Sequence, residues 1–479
     1  MARKTENLLT RDNTFEGYWF LPNKPKQQIF GRLDVSPGKP GKLSLFGTFD
    51  QLDTSQNREF ILGISARGAD ITLVQCSPVN YKFSTRGFQQ ITYRTSVILV
   101  GKHFTSESEL AFDRIYFEYA NLAEWLQISG FSPLSVERTG TIGVTYSLPD
   151  RITLLSNDHL EVAVSFSVSG PQWSVLQKSA LVTQSASICL TQKTDRSLSS
   201  YLQASRDLLF FFQLAFHGKS AAIDICGYLQ EFLEDGTTPY SRKIQVYLAA
   251  DKPNHEPIDS DSMTFRYDDI KDRAGEILDN WMSLSEVMRR AIAVLFESFY
   301  SKDLYLENRL IAVTQVAEAF HRQFFGGSYQ NQEDYENGIY KVLVGIIPGD
   351  MPADWKHSLK GRLKYANEFS LRRRIRELIH HCPSELILSM LGSEKQVNVY
   401  IDNLVNLRNL LTHNAADASR YVKNTVEIHW ITHALKRIIE ILLLQRLGFS
   451  DEQIVDLVRR NRLWEFDIRQ IRENAVCPL

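Results

Sequence analysis

The spacing of apolar residues changes partway along the chain, and this change constrains the fold more than any other feature. Between about residues 14 and 190, short runs of β-branched or alternating apolar residues, such as Leu160–Phe166, are separated by Gly and Pro. From about residue 268 onward, apolar residues recur at three- and four-residue spacing, as in Ile270–Tyr300. Strands followed by helices predict an α+β protein, with a β-rich sandwich or barrel-like domain before an all-α bundle.

The β-rich region carries helical additions before it ends. An amphipathic pattern begins near Ser197 and continues through Phe212, and a strand-like segment follows at Lys243–Leu248. The next segment, Asp251–Ser262, is rich in Pro and Asp, which is typical of a linker. We therefore predict an N-terminal domain over residues 1–262 and a helical domain over residues 263–479.

Two long segments of the second domain have the spacing of amphipathic helices. They are Leu304–Phe325 and Thr425–Leu447. Gly448 is a natural stop for the second helix, because glycine adopts the left-handed conformation that often ends a helix.

Length, charge and cysteine usage restrict the class of protein. A chain of 479 residues is long enough for two or three domains, each with its own core. The net charge of −2 excludes a generally basic surface, so any nucleic-acid site must be a local patch. The five cysteines are scattered and form no Cys-x-x-Cys, which is typical of reduced thiols in a cytoplasmic protein. Because the strongest apolar run, Leu208–Phe216, is far too short to cross a bilayer, we expect no membrane partner.

One polar pair stands out in the otherwise apolar helical stretch Leu404–Asn414. Arg408 is followed by four residues and then by His413, and Asn409 adds a polar group directly after the arginine. A histidine titrates near neutral pH and can move protons, whereas the planar fork of an arginine can hold a phosphate. These two residue types can cleave RNA without a metal. Taken alone, the pair also fits a surface arginine and a histidine near a helix end.

The five-residue spacing of Arg408 and His413 has a geometric consequence. Positions five apart lie about 140° apart around a helix, so the two side chains are not stacked neighbours. Asn414 favours a left-handed C-cap, which predicts that His413 lies in the last helical turn. From there its ring can turn toward the groove that Arg408 faces, and the helix dipole favours its protonated form.

The segment resembles the HEPN superfamily, whose mark is Arg-x4-His with a polar residue often following the arginine. Residues from about 300 to 445 resemble the Apea-like HEPN domain, through Leu310–Arg322, Leu363–Glu368 and the Arg408 motif. The first 250 or so residues resemble the N-terminal domain of ApeA-type bacterial antiphage proteins. The resemblance therefore spans nearly the whole chain.

This resemblance implies a metal-independent endoribonuclease that acts in antiphage defence by abortive infection. An RNA 2′-hydroxyl would attack the adjacent phosphorus, with His413 moving the proton, Arg408 holding the phosphate and Asn409 positioning either group. It also implies a homo-oligomer with at least a HEPN dimer, because a two-fold axis brings a second copy of the motif into one cleft. Glu318 lies where the family usually carries an acid and would orient Arg408, or else form a structural salt bridge.

The N-terminal domain contains no recognisable catalytic constellation. We expect it to sense a phage-derived trigger, such as a phage protein, and to pass the signal across the linker to the helical domain. Recruitment of RNA or completion of the oligomer are competing roles for this domain.

A dense basic stretch precedes the motif and could form a track for the phosphate backbone of the RNA substrate. The residues expected to bind RNA are Lys356, Lys360, Arg362, Lys364, Arg372, Arg373 and Arg374. A solvated helix face, or a set of partners for acids elsewhere, is the competing structural interpretation.

His429 and His433 lie four residues apart on a predicted helix, a spacing that can bind a metal. No third ligand or general-base glutamate accompanies them, so we expect a surface or interface role for both. The sequence also lacks a Gly-x4-Gly-Lys phosphate loop, a nucleophile elbow and a two-metal carboxylate cluster. We therefore expect neither a metal nor a cofactor. A non-catalytic HEPN-like module that binds nucleotides or proteins, in a defence or toxin–antitoxin system, is the alternative function.

Overall fold

A computed structural model of the chain describes most of its length. The described residues are 9–49, 56–82, 89–132, 135–136, 142–174, 178–233, 236–249, 257–300, 304–413 and 425–475. The chain divides into two compact units, residues 1–279 and 280–479. The domain boundary expected after residue 262 stays a prediction, and half of the expected linker lies outside the described residues.

The N-terminal unit is built mainly from strands, which confirms the α+β class and the order of its two parts. The strands are β1 (Asn13–Phe20), β2 (Ile29–Val35), β3 (Gly41–Leu45), β4 (Arg58–Ser65), β5 (Asp70–Lys82), β6 (Gln90–Thr95), β7 (Val97–Val100), β8 (Arg114–Tyr119), β9 (Ser135–Val136), β10 (Ile142–Gly143), β11 (Ile152–Ser156), β12 (Leu160–Ser174), β13 (Ser179–Gln192), β14 (Ala222–Phe232) and β15 (Pro239–Leu248). The helices that begin and end within this unit are α1 (Leu122–Leu126), α2 (Leu198–Phe216) and α3 (Tyr267–Ile270).

Six strands close into a barrel. They pair in the order β5-β4-β1-β2-β3-β6, and β6 also pairs with β5, which closes the ring. Alternate side chains are buried, as on β2, where Leu33 and Val35 are enclosed and the residue between them is not. Trp19 is completely buried, and Gly63 makes room for it because a Cβ at residue 63 would lie 2.4 Å from the indole ring.

Strand β5 takes part in both the barrel and an open antiparallel sheet, and so joins the two. The second half of β5 pairs with β6, which belongs to the barrel, whereas the first half pairs with β7. The sheet then continues in the order β7-β15-β14-β8-β13-β12-β11. Strand β5 therefore contributes to both parts of the unit.

Helix α2 packs against one face of the open sheet. Its N-cap is Ser197, whose side chain accepts a backbone N–H, and it extends to Phe216 rather than ending at the predicted Phe212. Tyr119 of β8 donates a hydrogen bond of 2.9 Å to the carbonyl of Ser205 on this helix, and its ring contacts Phe212. The apolar run within α2 is buried, as its composition indicates.

The C-terminal unit is helical in its described residues. Its helices are α4 (Ala274–Tyr300, which begins before the unit), α5 (Leu306–Phe325), α6 (Gln332–Asn337), α7 (Ile339–Ile346), α8 (Ala353–Lys364), α9 (Leu371–His380), α10 (Ser384–Leu391), α11 (Glu394–His413), α12 (Thr425–Leu447), α13 (Asp451–Arg460) and α14 (Arg462–Asn474). The helix expected to begin at Leu304 begins at Leu306.

Helix α12 forms the centre of the C-terminal unit, where it contacts α5, α9, α11, α13 and α14. Its predicted bounds are confirmed, and Gly448 follows it with φ of +99°. The prediction that this helix is amphipathic is wrong, because every residue from Ala434 to Leu444 is buried. A helix enclosed on all sides has no polar face, and the charged residues in this segment must find partners inside the protein.

Candidate active site

Arg408 lies at the contact between helices α5 and α11. Its neighbours Leu407 and Leu410 are buried and hold α11 in the core, whereas the side chain of Arg408 is 29% exposed. Its Nη2 lies 3.6 Å from Oε1 of Glu318 on α5, whose side chain is equally exposed. Two roles were predicted for Glu318, orientation of Arg408 and a structural salt bridge. Its position is compatible with orientation of Arg408.

The remaining contact of the Arg408 guanidinium is local. Its Nη1 donates to Oδ1 of Asn409 at 3.3 Å, and the Asn409 side chain is exposed. A guanidinium has five N–H donors, so among the described residues most of those of Arg408 have no protein acceptor. A half-buried arginine with unused donors is suited to bind a planar or tetrahedral oxyanion.

His413 is the last residue of α11, so the expectation that it lies in the last turn is confirmed. Its side chain, and Asn414 with the predicted cap, lie outside the described residues. The turn of its ring toward Arg408 stays a prediction. The backbone places His413 little more than one helical turn, about 7.5 Å along the axis, from Arg408.

The predicted basic stretch divides between two helices with different surroundings. Lys356, Lys360, Arg362 and Lys364 lie on α8 and form no ion pair with the described residues. The arginines of α9 are engaged: Arg372 pairs with Asp402, and Arg373 donates to Glu377 at 2.7 Å while its guanidinium lies 3.6 Å from the centre of the Phe369 ring. These residues therefore do not form one uniform surface.

Arg374 is the clearest case of an internal role within the basic stretch. It is only 2% exposed, and burial lowers its pKa. Its Nε donates to the carbonyl of Phe369 and its Nη2 to the carbonyl of Gly327, both at 3.1 Å. Because these bonds hold two loops together, the environment of Arg374 favours the structural interpretation over contact with RNA.

A groove between α4 and α5 carries basic residues that sequence reasoning missed. Its volume is about 510 Å³, and its lining includes Arg289, Arg290 and Arg322. Arg322 lies one turn after Glu318 on α5 and pairs with Glu368 at 3.1 Å. One wall of the groove is therefore α5, the helix that also carries Glu318. In the sequence, the two consecutive arginines of α4 look like part of a solvated helix face. Only the structure shows that they line a groove with α5.

The histidine pair of α12 is partly buried between aromatic rings and charged side chains. The ring of His433 packs edge-on against Phe299, with the centres 5.2 Å apart, and contacts His429. Burial, followed by the nearby charge of Lys436, lowers the pKa of His433 to about 2. The side chain of His433 is only 19% exposed, and the expected surface or interface role of the pair stays a prediction. Within the described residues, no three His, Cys, Asp or Glu side chains are grouped to hold a metal ion.

A buried ionic cluster lies beside this pair. Nε of Arg437 donates to Asp467 of α14 at 2.9 Å and Nη1 donates to Glu440 at 2.6 Å. Lys436 lies 3.2 Å from Glu440, and the guanidinium of Arg437 stacks on Trp464 at 4.4 Å. All of the charges are nearly inaccessible to solvent, and each has an opposite charge within contact.

Among the described residues, no helix combines the length and apolarity required to span a bilayer.

Comparison with known families identifies both units. Residues 311–453 match the family described as Apea-like HEPN, a class whose members are generally nucleases. Residues 14–281, more than half of the chain, match the family described as ApeA N-terminal domain 1. The chain therefore belongs to the ApeA family, and the resemblance seen in the sequence is confirmed. This pair of domains is characteristic of defence-related HEPN nucleases. No curated protein and no solved structure matches the chain.

Proposed function

We propose that the protein is a metal-independent endoribonuclease that cuts cellular RNA in antiphage defence by abortive infection. The observation that supports this proposal is the environment of Arg408. Arg408 carries a permanent positive charge, is 29% exposed and lies 3.6 Å from Glu318. Among the described residues it has unused donors, and it stands five residues before a histidine at a helix end. A phosphate is the common cellular group that fits such a fork.

The proposed reaction is an intramolecular displacement at phosphorus. The 2′-oxygen of a ribose attacks the adjacent phosphorus and forms the O2′–P bond, while the P–O5′ bond breaks. His413 accepts the proton of the 2′-hydroxyl, and a second imidazolium protonates the departing 5′-oxygen. Arg408 stabilises the equatorial oxygens as their negative charge grows, and Asn409 positions the phosphate or the histidine. The products are a 2′,3′-cyclic phosphate and a 5′-hydroxyl.

The need for both an acid and a base implies two copies of the motif. One His413 cannot hold and release the proton at the same instant, so we propose a HEPN dimer whose two-fold axis lies beside α11. In mixtures of active and inactive subunits, activity should then fall more steeply than dilution predicts. An active species that is strictly monomeric in light scattering would contradict this arrangement.

We propose that the groove between α4 and α5 contributes to binding of the RNA backbone. Arg290 and Arg322 are exposed there, and Arg322 lies on the same helix as Glu318. Phosphate contacts of this kind fix the position of the RNA without reading its sequence. The charge-reversal variant Arg290→Glu should weaken RNA binding more at low salt than at high salt.

The decisive experiment is incubation of the purified protein with total RNA, followed by chemical mapping of the product ends. Cyclic phosphate and 5′-hydroxyl ends are expected from the wild type and none from Arg408→Ala. Arg459→Ala, which removes a surface arginine paired with Glu385, is the matched control and should retain activity. Cleavage that is equal in all three proteins would refute the proposal, as would 5′-phosphate ends.

We further propose that the N-terminal unit senses a phage component and shifts the helical unit toward the cutting state. Such a shift requires the trigger to bind the active state more tightly than the resting state. RNA from cells carrying the full-length protein should be intact before infection and cut afterward, with Arg408→Ala cells unaffected. Equal cutting before and after infection would exclude a sensing role and favour RNA recruitment.

A further inference from the structure

Between α5 and α9 the chain makes a helical excursion, residues 331–366, which contains α6, α7 and α8. Tyr335 is the one buried residue in this segment, all of which the structure describes. Its hydroxyl donates to the carbonyl of Leu363 at 2.5 Å and so links α6 to α8. The excursion has almost no core of its own.

The base of the excursion is nevertheless firmly held. Asn367 is 2% exposed, and its side chain accepts from the N–H of Gln330 and donates to the carbonyl of the same residue. The N–H of Tyr329 donates to the carbonyl of Asn367, and the N–H of Phe369 donates to Gly327, both at 2.9 Å. The excursion is therefore presented in a defined position by the fold.

Helix α7 exposes an aliphatic face. Ile339, Val342 and Ile346 are 52%, 63% and 71% exposed, and their spacing of three and four residues places them on one side of the helix. No residue of α7 is buried. Single exposed aliphatic residues are common, but a helix that is mostly apolar and wholly unburied indicates a contact surface.

The two neighbouring helices differ in charge: α6 is acidic, and α8 is basic apart from Asp354 in its first turn. Helix α7 contacts both α6 and α8. The acidic side chains of α6 are Glu333, Asp334 and Glu336, and the basic side chains of α8 are Lys356, Lys360, Arg362 and Lys364. None of these seven side chains forms an ion pair with the described residues. The excursion thus carries both halves of a complementary surface but does not pair them internally.

We propose that the excursion α6–α8 is an interface with a second copy of this chain. In a two-fold arrangement, α7 packs on the partner's α7, and the acids of α6 face the bases of the partner's α8 in two equivalent contacts. A surface that carries an apolar face and charges of both signs can be complementary to itself, which is what a two-fold interface requires. This assignment does not depend on the proposed nuclease activity.

The acids of α6 distinguish this partner from two others. An RNA backbone would be attracted by the lysines expected to bind it but repelled by α6, and it gains nothing from three aliphatic side chains. An anionic membrane surface would be repelled by the same acids. A second copy of this chain presents the same surface, so it can cover the apolar face and pair with the charges of both signs.

Charge reversal tests the interface in the full-length protein, with mass measured by light scattering and without RNA. The acid variant is Glu333→Lys, Asp334→Lys and Glu336→Lys; the base variant is Lys356→Glu, Lys360→Glu and Lys364→Glu. Each variant alone should have half the wild-type mass, because both contacts become repulsive. An equal mixture of the two should recover the wild-type mass, since each contact then joins opposite charges.

A substitution in the aliphatic face provides the second measurement. Val342→Asp should also halve the mass without changing the circular dichroism spectrum, whereas Leu388→Asp, at an exposed leucine of α10, should not. Wild-type mass in all of these variants would overturn the proposal. If the base variant keeps its mass but loses affinity for RNA, α8 binds RNA and the interface is refuted. Failure of the mixture to recover the mass would also overturn it. Because mass is read in the absence of substrate, the result is separate from that for RNA cleavage.

Discussion

Arg437 and Arg408 of the helical unit both lie beside carboxylates, and they differ in nearly every other respect. Arg437 is 3% exposed, contacts both Glu440 and Asp467, and stacks on an indole ring. Arg408 is 29% exposed and has a single carboxylate 3.6 Å away. Among the described residues, carboxylates accept from all three nitrogens of the first guanidinium, whereas the second contacts only Glu318 and Asn409.

The difference shows what separates a structural arginine from one available to a ligand. Burial makes an unpaired charge costly, so each charge in the Arg437 cluster has partners inside the core. Glu318 restrains Arg408 without occupying its donors, and the exposed side leaves room for another anion. Accessibility and unused donors, rather than the mere presence of an ion pair, mark the candidate site.

The largest expected effect is the loss of RNA cleavage when Arg408 or His413 is replaced. If this loss is not observed, the distinction between the two arginines fails. Arg408→Ala or His413→Ala should lower the rate of RNA cleavage by about 10²–10⁴, the range typical of removing one charge-stabilising or proton-transferring group. The melting temperature should change little, because Arg408 is half-exposed and weakly paired. Single-turnover rates and thermal unfolding of the same preparations give both quantities. A variant that is unfolded, or one that is fully active, would contradict the assignment.

The reverse pattern is expected at the saturated arginine. Arg437→Ala leaves the buried carboxylates of Glu440 and Asp467 without their partner and should destabilise the helical unit by about 3–5 kcal/mol. Denaturant unfolding measures this loss, and Arg459→Ala, at an exposed surface pair, should change stability by about 0–1 kcal/mol. Equal stability of the two variants would remove the distinction between buried and exposed arginines.

A smaller effect is expected at a carboxylate for which the described part of the chain supplies no ion-pair partner. Glu118 of β8 lies directly across from Asp224 of β14, and burial, together with that like charge, raises its pKa to about 7. A raised folded-state pKa means that its contribution to stability is complete below the unfolded value, about 4.3, and is lost as the pH rises toward 7. Glu118→Gln should therefore gain about 1–3 kcal/mol relative to wild type between pH 4.5 and pH 8. Unfolding at several pH values tests this, with exposed Glu16→Gln as control; a gain that does not grow with pH would contradict it.

No effect at all is expected from removal of metal ions. If Arg408 supplies the positive charge at the phosphate, chelation with EDTA should leave the cleavage rate unchanged, within about twofold as a working margin. Activity that disappears in EDTA and returns with one divalent ion would place the chemistry at another site. Repeating the assay with His429→Ala would then show whether the histidine pair of α12 takes part.

Local patterns in the sequence predicted the elements and their order well. The bounds of α12 follow from apolar spacing and a stop glycine, both of which are encoded within the helix itself. The extension of α2 to Phe216 was missed because every residue of its last turn is buried, including the polar Gln213, so no exposed face marks its end. Closure of the barrel was also beyond the sequence, because it depends on β5 changing its partner from β7 to β6 along its length.

The sequence could not predict which charged residues are buried, because their partners come from distant segments of the chain. Lys436, Arg437 and Glu440 have the spacing of a solvated helix face, yet they are buried because Asp467 lies opposite them on a separate helix. Arg374 belongs to a basic run in the sequence, but its guanidinium is enclosed by two loops. The roles of Arg408, Asn409 and His413 rest on chemistry and resemblance, and the structure adds the contact with Glu318.

The backbone hydrogen bond between Tyr329 and Asn367 brings together the two ends of the segment that carries α6, α7 and α8. A segment whose ends already meet can be lengthened, shortened or exchanged while the helices around α12 keep their connectivity, since a short turn could join the same two residues. The excursion is therefore modular. Changes in the length of this segment can leave undisturbed the packing of the helices that carry Arg408 and Glu318.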